Sequence, residues 1–245
     1  MSSLSPPSLA DRRILVTAGP TWVRVDAVRH LGNLSSGGTG LAIARALAEA
    51  GAAVTLLLGP GRVLPTPEDH ATLRILDYVT FDELHSAVRE QVGSRQYDAL
   101  VHSAAVSDYK LAEEHTGKLS SDADELVLRL VRTPKIVDEV KELDPEIMLV
   151  KFKLEVNRTE AELLEIGARS RERSQAELLV ANDLSEKTGG QHLAYLLDAN
   201  GVVARVNTTA ALAELLTHTL GERLPNHPLR SGSTATENVP GTVGS

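Results

Sequence analysis

The chain has 245 residues, 42% of them hydrophobic and 24% charged, with a formal net charge of −8, which fits one medium-sized globular unit with a well-buried core. The acidic balance argues against a nucleic-acid binder, which needs a basic surface to meet phosphate, and no apolar stretch approaches the roughly 20 residues that span a bilayer. Without cysteine there are no disulfides, no thiolate catalysis and no thiolate-held metals.

The first residues, MSSLSPPSLADRR, have neither a basic region nor a long apolar run, so no signal peptide is read and a cytoplasmic location is expected. Residues 1–11 are expected to be flexible. Residues 13–18 (RILVTA) form a short apolar run closed by Gly19-Pro20, the pattern of a buried parallel strand entering a loop. The glycine-rich loop at 32–40 (GNLSSGGTG) precedes an Ala-rich helix over about 41–50, with Gly51 placed as a C′ residue. Residues 53–58 and 73–79 are the next strands, and Thr80-Phe-Asp-Glu83 is a capping box opening a helix to about residue 92. A fourth strand is expected over 98–105. This alternation predicts a doubly wound, mostly parallel α/β sheet of the Rossmann-like kind.

Further on, residues 126–131 (LVLRLV) alternate as a strand with one solvated face does. Thr133-Pro134 reads as an N-cap with Pro at N1, for a helix to about residue 143. A strand over 147–154 follows, then a capping box at Thr159–Glu162 for a helix to about 175. Residues 177–181 make another strand, and 193–197 with 202–206 a small β-hairpin extension around Asn200-Gly201. A last helix is expected over about 209–221. The polar Gly/Ser/Thr/Pro-rich residues 225–245 are expected to be a disordered tail. One folded domain over 12–224 results.

The 32–40 loop carries the functional question. A dinucleotide fingerprint would follow the first strand directly, with an acid after the second. Here the loop begins about fourteen residues late, and the second strand ends at Gly59. No tyrosine has a lysine four residues on, as a short-chain reductase would. Gly32–Thr39 matches a P-loop except for its lysine, which faces the transferred phosphates. What survives is a general anion site of backbone N–H groups at a helix N-terminus, set against a plain turn with Ser35 or Ser36 as the cap.

Several segments, taken together, resemble the phosphopantothenate–cysteine ligase (phosphopantothenoylcysteine synthetase) family. They are RILVTAGPTWVRVDAVRHLGNLSSGGTG, DALVHSAAVSDYK, TGKLSSDADELVLRLVRTPKIV, VKFKLEV, and AELLVANDLS with GGQHLAYLLD. They cover about residues 12 to 206 in order. The sharpest are N-x-S-S-G at 33–37, A-A-V-S-D-Y at 104–109 and A-N-D at 181–183. KLSS, TPKI and FKLEV are closer to the free-standing form of the enzyme than to the form fused to a flavin-dependent decarboxylase, so no flavin is expected.

The resemblance implies a single nucleotide-binding ligase domain over 12–224. Its substrates would be 4′-phosphopantothenate, L-cysteine and CTP, with ATP as the alternative nucleotide. Mg²⁺ would act as counter-ion and a homodimer is expected. The carboxylate would be activated as an acyl nucleotide, then attacked by the cysteine amine. Asn33 would sit near the acyl carbon, where an Asx-turn or cap role is the plainer reading. Arg29, Ser35, Ser36, Gly37 and Gly40, with Asn33, would hold phosphopantothenate or phosphate. Lys118 would face the triphosphate, though composition alone makes it a surface lysine. His102, Ser103 and Ala104 match the nucleotide-contacting segment, and Asp108 reads as a ribose or metal contact or as a loop-capping acid. No other side chain is expected to ligate a metal.

Pro134, Lys135, Ile136 and Val137, with Phe152, correspond to a base-binding wall, against core packing for Phe152. Arg169 and Arg173 lie four apart on one helix face, where the family places two lysines; arginine keeps the charge and changes a point to a fork. Lys151 is a departure, standing where many members have glycine. Two other readings stay open: an NAD(P)-dependent oxidoreductase on the same kind of sheet, and a non-catalytic nucleotide-binding module.

Overall fold

A computed structural model describes residues 8–113, 116–120, 124–186 and 193–224; the expected tail at 225–245 lies outside the described residues. Its centre is an eight-stranded sheet. β1 (Arg13–Ala18) pairs in parallel with β4 (Ala53–Leu58) on one side and with β6 (Ala99–His102) on the other. Beyond β4 lies β5 (Arg74–Asp77). Beyond β6 lie β9 (Met148–Glu155) and β10 (Leu178–Asp183), still parallel. The hairpin of β11 (Ala194–Asp198) and β12 (Gly201–Val206) closes that edge in antiparallel sense. Gly201, at φ 116, supplies the left-handed turn position there. The fold is thus Rossmann-like, with the expected hairpin extension.

Because both faces of the parallel strands are covered, those strands read as continuous apolar runs. α1 (Gly38–Glu49) and α6 (Thr209–Arg223) cover one face, over Ile14, Val16, Val101 and Val150. α3 (Phe81–Gly93) and α4 (Ile136–Leu143) cover the other, over Leu15, Leu100 and Leu149. α5 (Glu160–Arg173) extends that second face over Leu179 and Ala181. The expected capping boxes at Thr80 and Thr159 form, each closed by the glutamate at N3.

Some expectations move. The interval between β1 and α1 holds a hairpin of β2 (Trp22–Arg24) and β3 (His30–Gly32), pinned by Trp22 stacked on His30 at 3.6 Å. A short α2 (Pro67–Thr72) carries its own capping box, Thr66 with Asp69. The strand expected at 126–131 is instead β8 (Leu130–Arg132), paired with β7 (Tyr109–Leu111) in a separate two-stranded sheet. Thr133 is not a helix cap: its hydroxyl donates to the Ser107 carbonyl at 2.8 Å, and the N-cap of α4 is Lys135. Order also starts before residue 12, since Leu9 is 1% exposed and its N–H donates to the Ala50 carbonyl.

The sheet has its switch point at β1. The chain leaves it for β4 and β5 on one side, then returns to build β6, β9 and β10 on the other, so the carboxyl ends of β1 and β6 bound the crevice in which such sheets bind ligands. α1 enters close to that crevice. A Cβ on Gly40 would lie 2.5 Å from both the Ala18 Cβ and the Ser103 Oγ, so helix and strand ends approach as closely as glycine allows. Gly40→Ala should therefore lose about 1–3 kcal/mol by overpacking; an unchanged urea midpoint would show that the contact yields freely.

Candidate active site

The 104–107 segment, after β6, is the meeting point of the site. Thr17, fully buried at the end of β1, accepts the Ala104 N–H on its hydroxyl at 3.2 Å and meets His102 Nδ1 at 3.0 Å. Its carbonyl accepts the Ser103 N–H and, at 2.7 Å, the Ser103 hydroxyl. The Asn33 side-chain amide donates to the Ala105 carbonyl at 2.9 Å, tying the 32–40 loop to this segment. Thr21 binds it from the other side, donating its N–H to Ala105 and accepting the Ser107 N–H.

On the α4 and α5 side of this segment opens a cleft of about 150 Å³. His102 and Ala104 line it from the end of β6, with Asp108 beyond. Pro134, Lys135, Ile136 and Val137 form one wall, and Phe152 and Arg173 complete it from β9 and α5. Phe152 also packs against the core beneath α1 and α6, as the plainer reading of it expects. Lys135 is ion-paired with Asp108 at the rim, and Arg173 lies 3.4 Å from Asp138.

Other expected residues lie elsewhere. Ser103 turns to the α1 side, where it meets Gly40. Arg169 is exposed and pairs with Glu165 at 2.5 Å along its own helix, so a single arginine of that pair reaches the cleft. Lys118 is exposed and does not line the cleft. Its neighbours are fastened: the Gly117 carbonyl accepts from Ala27, and the Leu119 N–H donates to Asp26. Arg29 is engaged in the same knot. It binds the Asp26 carboxylate through Nε and Nη2 and the Leu119 carbonyl at 3.1 Å. That guanidinium, with the backbone N–H groups of Val28, Leu119 and Arg29, holds the Asp26 carboxyl well below the usual range.

In the 32–40 loop, neither serine caps the helix from the N-cap position. Gly37 occupies it at φ 81, a conformation that favours glycine. Ser36 stands one residue earlier and accepts the Gly38 N–H at 3.2 Å. The helix mouth therefore presents backbone N–H groups, the arrangement suited to an anion.

A family model, the DNA/pantothenate metabolism flavoprotein C-terminal domain, matches residues 9–220. The chain belongs to this family. The coenzyme A biosynthesis bifunctional protein CoaBC of Thermococcus kodakarensis is 39% identical over 181 residues, 74% of this chain and 43% of that protein. The chain thus spans less than half the length of the curated relatives it matches. The crystal structure of the DNA/pantothenate metabolism flavoprotein from Streptococcus pneumoniae is similar at a TM-score of 0.78 and 34% identity, over 86% of this chain and 99% of that one. A Cab2 variant in complex with phosphopantothenate-cysteine shares the fold, at a TM-score of 0.70 and 17% identity, over 86% of this chain and 88% of that one.

In this chain the cleft also contains side chains that the sequence reading did not place there: Val106, Ser170 and above all Lys151. Lys151 is 4% exposed, and its ammonium donates to the Ser170 carbonyl at 3.0 Å. Desolvation pulls its pKa down to about 8, opposed by Asp138 and helped by Arg173, Lys135 and Lys153. A lysine inside the apolar run IMLVKFKLEV was the available signal, because buried lysines are rare unless they have work to do.

His102 is the cross-strand neighbour of Lys151. Burial, reinforced by the Lys151 charge, lowers its pKa to about 4, so the ring is neutral at pH 7. The Thr17 hydroxyl accepts from Ala104 and meets Nδ1 of this ring; where it gives its own hydrogen to Nδ1, the ring proton sits on Nε2.

The histidine sets a pH dependence. Its folded pKa lies below the unfolded value near 6.5, so the unfolded chain takes up the proton first as pH falls. Its contribution is complete above pH 6.5 and is lost on descent toward pH 4. Wild type should lose more stability over that window than His102→Gln, by roughly 1–3 kcal/mol. Parallel pH profiles for the two proteins in urea unfolding would remove this account.

Proposed function

We propose that this domain is a phosphopantothenate–cysteine ligase that uses a nucleoside triphosphate, CTP in the first instance. The reading is carried by one juxtaposition: an anion-suited helix mouth and a cleft of mixed apolar and charged lining meet at the 104–107 segment, at the switch point of the sheet. Membership of a family whose relatives are named for coenzyme A biosynthesis supports it. The solved complex of a fold relative with phosphopantothenate-cysteine is consistent with that substrate.

The chemistry follows from the carboxylate being a poor electrophile. Its oxygen attacks the α-phosphorus of the nucleotide, the bond to the β-phosphate oxygen breaks, and pyrophosphate leaves. The cysteine amine then attacks the acyl carbon of the mixed anhydride, loses a proton, and expels the nucleoside monophosphate as the amide forms. No atom changes oxidation state, so a flavin has no part in it. The protein supplies position and charge. In this reading the base enters between Ile136, Val137 and Phe152, Arg173 and Lys118 meet phosphate charge, and the 35–40 backbone binds the phosphate of phosphopantothenate. Asn33, whose side-chain amide donates to Ala105, would lie beside the acyl carbon in the same reading.

Among the described residues no group of three or more His, Asp or Glu could hold a metal. In this reading Mg²⁺ would arrive with the nucleotide and neutralise triphosphate charge, beside Asp108, the carboxylate that lines the cleft and pairs with Lys135. Pyrophosphate release that requires both 4′-phosphopantothenate and CTP or ATP is the expected outcome. Lys118→Ala should lower kcat on the order of a hundredfold while the fold persists. If neither nucleotide yields pyrophosphate with both substrates present, the ligase reading is finished.

A homodimer belongs to the same reading. The β2–β3 hairpin and the β7–β8 sheet pack side by side and expose Leu31, Leu130, Val131 and Tyr109, with Leu34 99% exposed nearby. Apolar side chains grouped in this way are expected to be covered by a partner, here a second copy. Light scattering should give twice the chain mass; a monomer at micromolar concentration would contradict it.

A further inference from the structure

Two polar side chains of the cleft are absorbed by neither the fold nor the reaction as written. Lys151 is buried inside a parallel strand, where an ammonium loses hydration, and Ser170 accepts one of its three hydrogens. His102 stands beside it on the next strand, with Nδ1 at Thr17 and the residue lining the cleft. Ala104, Val106, Ile136 and Val137 add apolar surface to the same cleft. A space of about 150 Å³ admits a flat ring more readily than a triphosphate.

We propose that His102, with its ring proton on Nε2, and Lys151 are specificity-determining residues, a pair of donors that reads two adjacent acceptors on the nucleobase, the N3 and O2 edge of cytosine. Adenine has a C2–H beside its N1 acceptor where cytosine has O2, so it would leave one donor unpaired, and uracil places an N–H between its two carbonyls, so it would bring a donor against a donor. Mismatching a buried polar edge is what makes such sites selective. The inference rests on the nucleotide-using reading above, and it assigns base choice to this chain's own side chains.

The charged groups facing Lys151 are Asp138 from α4, Lys135 ahead of it, Arg173 from α5 and Lys153 on its own strand. Because the ammonium loses its proton as pH rises through about 8, affinity for a cytosine nucleotide should fall above that pH. It should be flat there in a variant lacking the amine.

Equilibrium binding of CMP, CTP, AMP and ATP to the full chain tests the pair without turnover. Wild type should favour CMP over AMP. Lys151→Met, an apolar replacement of similar length, should weaken CMP and CTP by the same factor, roughly tenfold or more, and leave AMP and ATP unchanged. His102→Phe should act in the same direction. A loss larger for CTP than for CMP, and shared by ATP, would make Lys151 a phosphate contact and overturn the proposal, as would unchanged discrimination in both variants. The pH profile of CMP binding to wild type keeps the test decisive should either variant fold poorly: no decline above pH 8 counts against the pair. Pyrophosphate release by wild type separates the two levels. Release with unaltered base discrimination in the variants removes this inference alone; no release and no nucleotide binding removes the ligase reading with it.

Discussion

Thr17 ties the carboxyl ends of β1 and β6 together, and the candidate site depends on that knot. One buried hydroxyl orients the His102 ring and holds the Ala104 N–H, while the carbonyl of the same residue takes both donors of Ser103. With the strand ends locked, the 104–107 segment becomes a fixed rail. Asn33 grips it from the glycine-rich loop and Thr21 from the inserted hairpin. A parallel sheet opens a crevice where its strand order reverses; here the opening is bounded by hydrogen bonds between consecutive loops, so its geometry follows from the backbone of the core strands.

The same economy explains the glycines. Gly37 serves a left-handed N-cap, whereas Gly40 is required by packing, with Ala18 and Ser103 filling the place of a side chain. Glycine-rich loops of this kind suggest backbone approach to phosphate. In this chain at least one glycine is demanded first by helix–strand contact, and the open N–H groups are a consequence of how closely α1 is drawn in. Ser103 shows the converse: adjacent to His102 in sequence, it faces the opposite side of the sheet because side chains alternate along a strand.

Much of the fold was legible because the signals were local. Apolar runs gave the parallel strands, Thr80 and Thr159 announced their helices through glutamates three residues on, and Asn200-Gly201 marked the hairpin. The short elements were harder to read. Thr66 with Asp69 was a capping box of the same form, hidden in a proline-containing loop, and β7 and β8 pair across a long insertion that no local pattern betrays. In the site, the family resemblance located His102, Asp108, Pro134–Val137, Phe152 and Arg173 at one cleft. It could not show that Arg29 is bound to Asp26, nor that Arg169 pairs along its own helix. Those facts are tertiary, and a charge in sequence does not say which opposite charge it will find.

Lys151 reveals a tension between folding and function. A strand position among Leu149, Val150 and Phe152 would be more stable with an apolar residue, since the ammonium gives up water for one carbonyl and lies near Arg173 and Lys135. The linkage sign agrees: the folded pKa lies below the unfolded one, so the unfolded chain holds this proton more tightly, and the lysine's burden is carried below pH 8 and relieved as pH rises toward 10.5. A ligand bringing acceptors to the cleft would remove the same burden at neutral pH. Binding and stability are then coupled through one side chain, because the energy withheld from the empty fold is available to the complex.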